Sequence, residues 1–225
     1  MKVPDKKALG GLLWLFLVMA ALIFIPAGTL DYWQAWVFLA VFFASALAIY
    51  LYLKKNDPSL LARRRRGGPG AEKETSQKII MFLVSAAFIA LIVLPAIDHR
   101  FAWSAAPPAV ALAGDALIAL SYLAIFFVFK ENTFASTVIQ VEPEQKVIAT
   151  GPYALVRHPM YAGSLLLLIG TPLALGSWWG LLVLVPLVPA LIWRLLDEEK
   201  FLAKNLPGYS AYRNRVGYRL VPYVW

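Results

Sequence analysis

The chain has 225 residues, of which 60% are apolar and 15% charged, with eight tryptophans and a formal charge of +8. That balance is far from a soluble domain and places the chain among integral membrane proteins. It contains no cysteine, which excludes disulfides, thiolate nucleophiles and cysteine-ligated metals together.

Taken in chain order, residues 10–28, 33–53, 79–97 and 108–129 are apolar runs with at most isolated ionisable groups. Each is long enough to cross roughly 30 Å of hydrocarbon as a helix. Lys6 and Lys7 precede the first run, but Pro26, Gly28 and Asp31 follow it and a second run begins at once. With no evident processing site, it is expected to be an ordinary first span and not a cleaved signal. Between the second and third runs, residues 63–70 read Arg-Arg-Arg-Arg-Gly-Gly-Pro-Gly. No Gly-Lys-Ser/Thr follows, so this is not a phosphate-cradling loop; it reads as a topology determinant lying against anionic lipid heads.

Asp115 is the only charged residue well inside these four runs. An acid at membrane depth is costly, and beside Gly114 in the outer half of its span it is expected to be structural or interfacial, within reach of solvent. Residues 160–175 and 179–196, separated by Gly176 and Ser177, read as a helical hairpin. Pro186 and Pro189 are each expected to free a carbonyl and bend its second arm. The expected fold is all-α and polytopic, with six transmembrane helices, or five if the hairpin is partly re-entrant.

Lysine and arginine crowd the linkers 54–78 and 130–159 and both terminal regions, whereas only Arg100 lies on the other side. By the positive-inside rule both termini and the 151–163 segment face the cytoplasm, which suits a protein of the cell's inner membrane. Topology and attraction to anionic lipid account for the charge, so no nucleic-acid partner is implied. Residues 1–107 read as spans with a basic loop, and residues 108–225 as the region carrying the chemistry.

That chemistry gathers in the last third. Gly-Pro-Tyr-Ala-Leu-Val-Arg-His-Pro-Met-Tyr-Ala-Gly occupies 151–163, Asp197-Glu198-Glu199 ends the hairpin, and a tyrosine-rich tail follows. Antiparallel arms bring His158 and the acidic cluster to one membrane face. Pro159 favours an extended backbone at His158 and a fresh helix start after it, with free N–H donors. A pocket with Tyr153, Arg157, His158, Tyr161, Glu198 and Glu199 suits a ligand that is partly charged and partly aromatic, such as S-adenosylmethionine. The residues alone equally fit interfacial anchors, with Glu198 and Glu199 paired to Lys200 and Arg194 and the tyrosines in an aromatic belt.

Residues 151–163, the apolar hairpin, Asp-Glu-Glu-Lys-Phe-Leu at 197–202 and Pro-Gly-Tyr-Ser-Ala-Tyr at 207–212 together resemble the isoprenylcysteine carboxyl methyltransferase family, which is related to integral-membrane phospholipid methyltransferases. The likeness includes Lys130-Glu131-Asn132-Thr133-Phe134 and covers roughly 108–222. It implies S-adenosylmethionine as cofactor, bound at the cytoplasmic face beside a cavity open to a prenyl or other lipid tail. It assigns cofactor contact to Tyr153, Arg157, His158, Tyr161, Glu198, Glu199, Tyr209 and Tyr212, with Gly163 permitting close approach of the ligand. Arg194, Glu199 and Arg213 are the implied catalytic group, the arginines meeting a substrate carboxylate. The acceptor, carboxylate or lipid amine, stays open, as does the oligomeric state. A sterol-reductase-like enzyme using NADPH and a non-catalytic membrane protein are the other classes; no dinucleotide motif or inverted repeat supports either.

Overall fold

The computed structural model describes residues 5–64, 70 and 74–225. Lys2, Arg65, Arg66 and Lys73 lie outside the described residues. The chain forms α1 (Asp5–Ala27), α2 (Trp33–Asn56), α3 (Pro58–Arg64), α4 (Thr75–Phe101), α5 (Pro108–Glu131), α6 (Pro159–Ala174), α7 (Leu184–Asn205) and α8 (Tyr209–Arg215). No strand occurs among the described residues.

Among the described residues five segments are long and apolar enough to cross a membrane: Gly10–Ala27, Trp33–Asn56, Thr75–Phe101, Pro108–Glu131 and Trp179–Asn205. α6 is apolar but has only 16 residues, about 24 Å of helix, short of the roughly 30 Å core. The protein is therefore polytopic, with five long helices and a sixth, shorter one. Successive long helices run antiparallel, so the loops near residues 29–32, 102–107 and 175–178 share a far face. The 151–163 segment, α3 and α8 lie at the other, the motif face.

α5 and α6 pack backbone to backbone. A methyl at Gly114 would stand 2.2 Å from the Ala174 nitrogen, and one at Gly170 would stand 2.8 Å from the Gly114 carbonyl oxygen. Small residues at such a crossing allow dense packing where lipid offers no hydrophobic drive between helices. Met19, Ile23, Phe38, Leu39, Ile92, Ile118 and Leu175 fill the adjoining core.

Two expectations need correction. Pro186 does not break the last span: residues Trp179–Val183 form a 3-10 turn, the α-helix starts at Leu184, and Pro186 falls in its first turn, leaving Pro189 as the proline inside. First-turn N–H groups have no intrahelical acceptor, so a proline there costs little. Asp115 is also not within reach of solvent. It is 5% exposed, and neither carboxylate oxygen has a hydrogen-bond partner among the described residues.

At the far face a polar clasp ties α4 to the hairpin. Asp98, 1% exposed, accepts from Ser104 N at 2.7 Å, from Ser104 Oγ at 2.6 Å and from Ser177 Oγ. Tyr32 Oη donates to the Leu175 carbonyl at 2.5 Å, and its ring stacks on His99 with centroids 3.8 Å apart.

Candidate active site

At the motif face the chain leaves α5, crosses the helix ends over 132–158 with a 3-10 turn at Gly151–Ala154, and re-enters as α6. Pro159 takes the first helical position, which its fixed φ favours, and His158 before it is non-helical. The tail pins this junction: Arg157 N donates to the Tyr218 carbonyl and His158 N to the Arg219 carbonyl, both at 2.9 Å.

Behind the junction lies Glu199 of α7, 3% exposed. Its Oε1 is 3.2 Å from His158 Nε2 and 3.1 Å from Arg157 Nε, and its Oε2 accepts from Arg219 Nε at 3.1 Å. The Arg157 contact is an ion pair only, because that N–H is not aimed for a hydrogen bond. One buried carboxylate thus fixes three side chains drawn from two separate segments.

Glu198 plays a different part. It accepts from Tyr161 Oη at 2.7 Å and lines a cavity of about 340 Å³, within the range of small-molecule sites. One turn earlier on α7, the buried Arg194 donates to Gln77 Oε1 and to the Thr137 carbonyl, both at 2.9 Å, while Gln77 Nε2 donates to Asp197 Oδ2 at 2.9 Å. Lys200 pairs with Asp197, at 3.6 Å, and not with the glutamates.

The tyrosines close the other wall. Asn132 Nδ2 donates to Tyr153 Oη and Tyr212 Oη donates to the Tyr153 carbonyl, both at 2.8 Å. Burial, with a smaller push from Glu198, raises the Tyr153 phenol to about 12, against the opposing pull of Asn132 and Arg64. Burial likewise lifts Tyr209 and Tyr212 well above the ordinary phenol range. All three therefore keep their protons at neutral pH, which leaves each hydroxyl able to donate.

The cavity brings together Tyr153, Arg157, His158, Tyr161, Arg194, Glu198, Tyr209 and Tyr212. Three expected residues stand elsewhere. Glu199 lies behind the wall it orders. Gly163 faces α5, where an added methyl would stand 3.2 Å from Ile125 Cγ1, so its smallness serves helix packing and not ligand approach. Arg213 is exposed on α8 and does not line the cavity, because the face of α8 that turns inward carries Tyr209 and Tyr212.

Sequence reasoning missed Gln77 and Arg64. Gln77 is 4% exposed in the first turn of α4, inside the polar run Thr75-Ser76-Gln77-Lys78, so no feature of the sequence sets it apart from its neighbours. Arg64 was read as part of a lipid-facing run, yet it lines the cavity. Its neighbour Arg63 donates to the Thr133 carbonyl through Nε at 3.1 Å and a terminal nitrogen at 2.8 Å. Arg63 is thereby anchored on the protein.

The cavity fits S-adenosylmethionine chemically. Glu198 offers a carboxylate to a cation, the tyrosine faces suit a sulfonium, and Tyr209 Oη is a buried hydroxyl without a partner among the described residues, which a ligand acceptor would satisfy. No curated protein matches the chain. Residues 110–207, spanning α5 to the end of α7, match the family model for phospholipid methyltransferase, so this region is similar to the membrane-embedded methyltransferases at large and not specifically to their isoprenylcysteine branch.

Proposed function

We propose that this chain transfers a methyl group from S-adenosylmethionine to a lipid-like acceptor that reaches the site from the bilayer. One observation carries the reading: a single cavity joins the Glu198–Tyr161 pair to an apolar wall of Met81 and Val84 from α4 and Leu191 from α7, helices that border lipid. When bound, the cofactor supplies a methyl carbon activated by its sulfonium. Glu198 holds the cofactor's cationic end, and the Tyr161 and His158 rings, 5.7 Å apart and edge to face, wall its polar side. Glu199 positions Arg157 and His158 without touching ligand. The segment 132–148 and the tail exclude water, which leaves alignment and desolvation as the main work of the site.

The family match favours a phospholipid amine as acceptor. An ammonium must lose its proton before its lone pair can attack the methyl carbon and displace the sulfur; Glu198 and His158 are the cavity-lining groups able to accept it. The buried Arg194, three residues along α7 from Leu191, favours the second reading, a prenylcysteine carboxylate, which needs no base and only a cation to restrain it. In either case residues 108–225 carry the cofactor site, α3 and α4 complete its walls, and the motif face is the cytoplasmic one.

The test is calorimetric titration of the solubilised protein with S-adenosylmethionine and, separately, NADPH. It is followed by transfer of labelled methyl to phosphatidylethanolamine or to a prenylcysteine. Saturable S-adenosylmethionine binding with label in one acceptor is expected. Binding of NADPH alone, or of neither ligand by folded protein, overturns the reading.

A further inference from the structure

Among the described residues three arginines line the cavity, and they differ in what occupies them. Arg157 is paired with Glu199, and Arg194 is bound to Gln77 and Thr137. Arg64 is different. Its Cζ sits 5.0 Å from the centre of the Phe129 ring, and one terminal nitrogen makes a long 3.4 Å contact to the Ser136 carbonyl. Among the described residues no carboxylate pairs with it. A guanidinium carries five N–H donors, so most of those on Arg64 remain for a ligand. Burial already pushes this guanidinium below its ordinary range, the expected effect where a cation is desolvated without an anion beside it.

Glu198 lines the same cavity, and Tyr153 lies within electrostatic reach of both, the carboxylate opposing its ionisation and the guanidinium favouring it. The cavity therefore sets an anion and an under-used cation about one tyrosine. A zwitterionic amino-acid group is complementary to such a pair, because each of its charges meets the opposite sign in a water-poor space.

We propose that Arg64 binds the α-carboxylate of the cofactor's amino-acid end while Glu198 receives its ammonium. The inference rests on S-adenosylmethionine being the ligand, as proposed above. It assigns a binding role to a residue of α3, outside the 110–207 region that carries the family likeness. The arginine-rich run then does more than set topology: its second member reads the cofactor.

The experiment compares calorimetric affinities of S-adenosylmethionine and its decarboxylated analogue for the wild-type chain, Arg64→Gln and Arg64→Lys. Loss of a charge-assisted contact of this kind weakens binding about 10- to 100-fold. The wild-type chain is expected to lose that factor when the carboxylate is removed. Arg64→Gln is expected to lose it for S-adenosylmethionine but to bind the decarboxylated analogue as the wild type does, with Arg64→Lys between. Equal binding of S-adenosylmethionine by Arg64→Gln and wild type, with a raised KM for a lipid acceptor, would assign Arg64 to a lipid anion and overturn the proposal. Equal weakening of both ligands in both variants would make the role structural and overturn it too. Failure of the wild-type chain to bind S-adenosylmethionine would instead sink the methyltransferase reading itself.

Discussion

The two ends of the α4, α6 and α7 bundle each gather polar side chains around a buried acid, yet they are built from different materials. At the far face Asp98 is met by serine hydroxyls and a backbone amide, short groups that bind one helix end to another and are consumed in doing so. At the motif face Glu199 is met by Arg157, His158 and Arg219, long side chains that form a wall while Glu198, Arg64 and Tyr209 keep polar capacity in hand. Short neutral donors make a clasp; two arginines and a histidine around one carboxylate make a scaffold with chemistry left over.

The largest expected effect comes from removing the scaffold's centre. Glu199→Ala leaves the Arg157 and Arg219 guanidinium groups without their anion and the His158 ring without its partner, and breaking such a buried arrangement costs about 3–5 kcal/mol. A lowered unfolding midpoint in detergent together with lost S-adenosylmethionine binding is expected, and normal binding would show that the wall stands without Glu199. Asp98→Ala should cost less, about 1–3 kcal/mol for unsatisfied serine donors, and should leave the dissociation constant unchanged in protein that remains folded. A matching loss of affinity would mean that the two ends are coupled and the contrast between them false. Tyr209→Phe removes a hydroxyl that has no partner among the described residues. Its unfolding midpoint should hold, while S-adenosylmethionine affinity falls by about 0.5–1.5 kcal/mol, one hydrogen bond's worth. The smallest effect belongs to Arg213→Ala, an exposed site where stability should stay within about 0.5 kcal/mol and binding should not move.

The membrane class and the first four spans were legible because hydrocarbon thickness imposes a minimum apolar length that composition reveals directly. The hairpin was legible only in outline. Its second arm begins as a 3-10 turn and continues to Asn205, since the acidic cluster after Leu196 extends the helix with charges that have partners at the motif face. The likeness across 151–163 and 197–212 named seven residues that the structure places on the cavity wall, but it did not divide the paired glutamates. Glu198 and Glu199 are adjacent on a helix and so project about 100° apart; which one faces ligand depends on where Arg157 and Arg219 arrive. Asp115 was misread for a related reason: whether an intramembrane acid meets water depends on how closely the neighbouring helix packs, and the Gly114–Ala174 approach is a property of two segments about sixty residues apart. Gln77 and Arg64 come from outside the region of likeness and become site residues only once α3 and α4 are packed against it.

The joining of α5 to α6 through bare backbone contacts has a bearing on how such a protein changes over time. The segment 132–158 is closed at its base by that helix pair, so its two ends stay in place whatever lies between them. Replacements or insertions near 138–148 carry little additional closure entropy and leave the spanning frame untouched, yet they redraw one wall of the cavity. Change in that segment can therefore reshape the cavity while the helices that frame it are inherited intact.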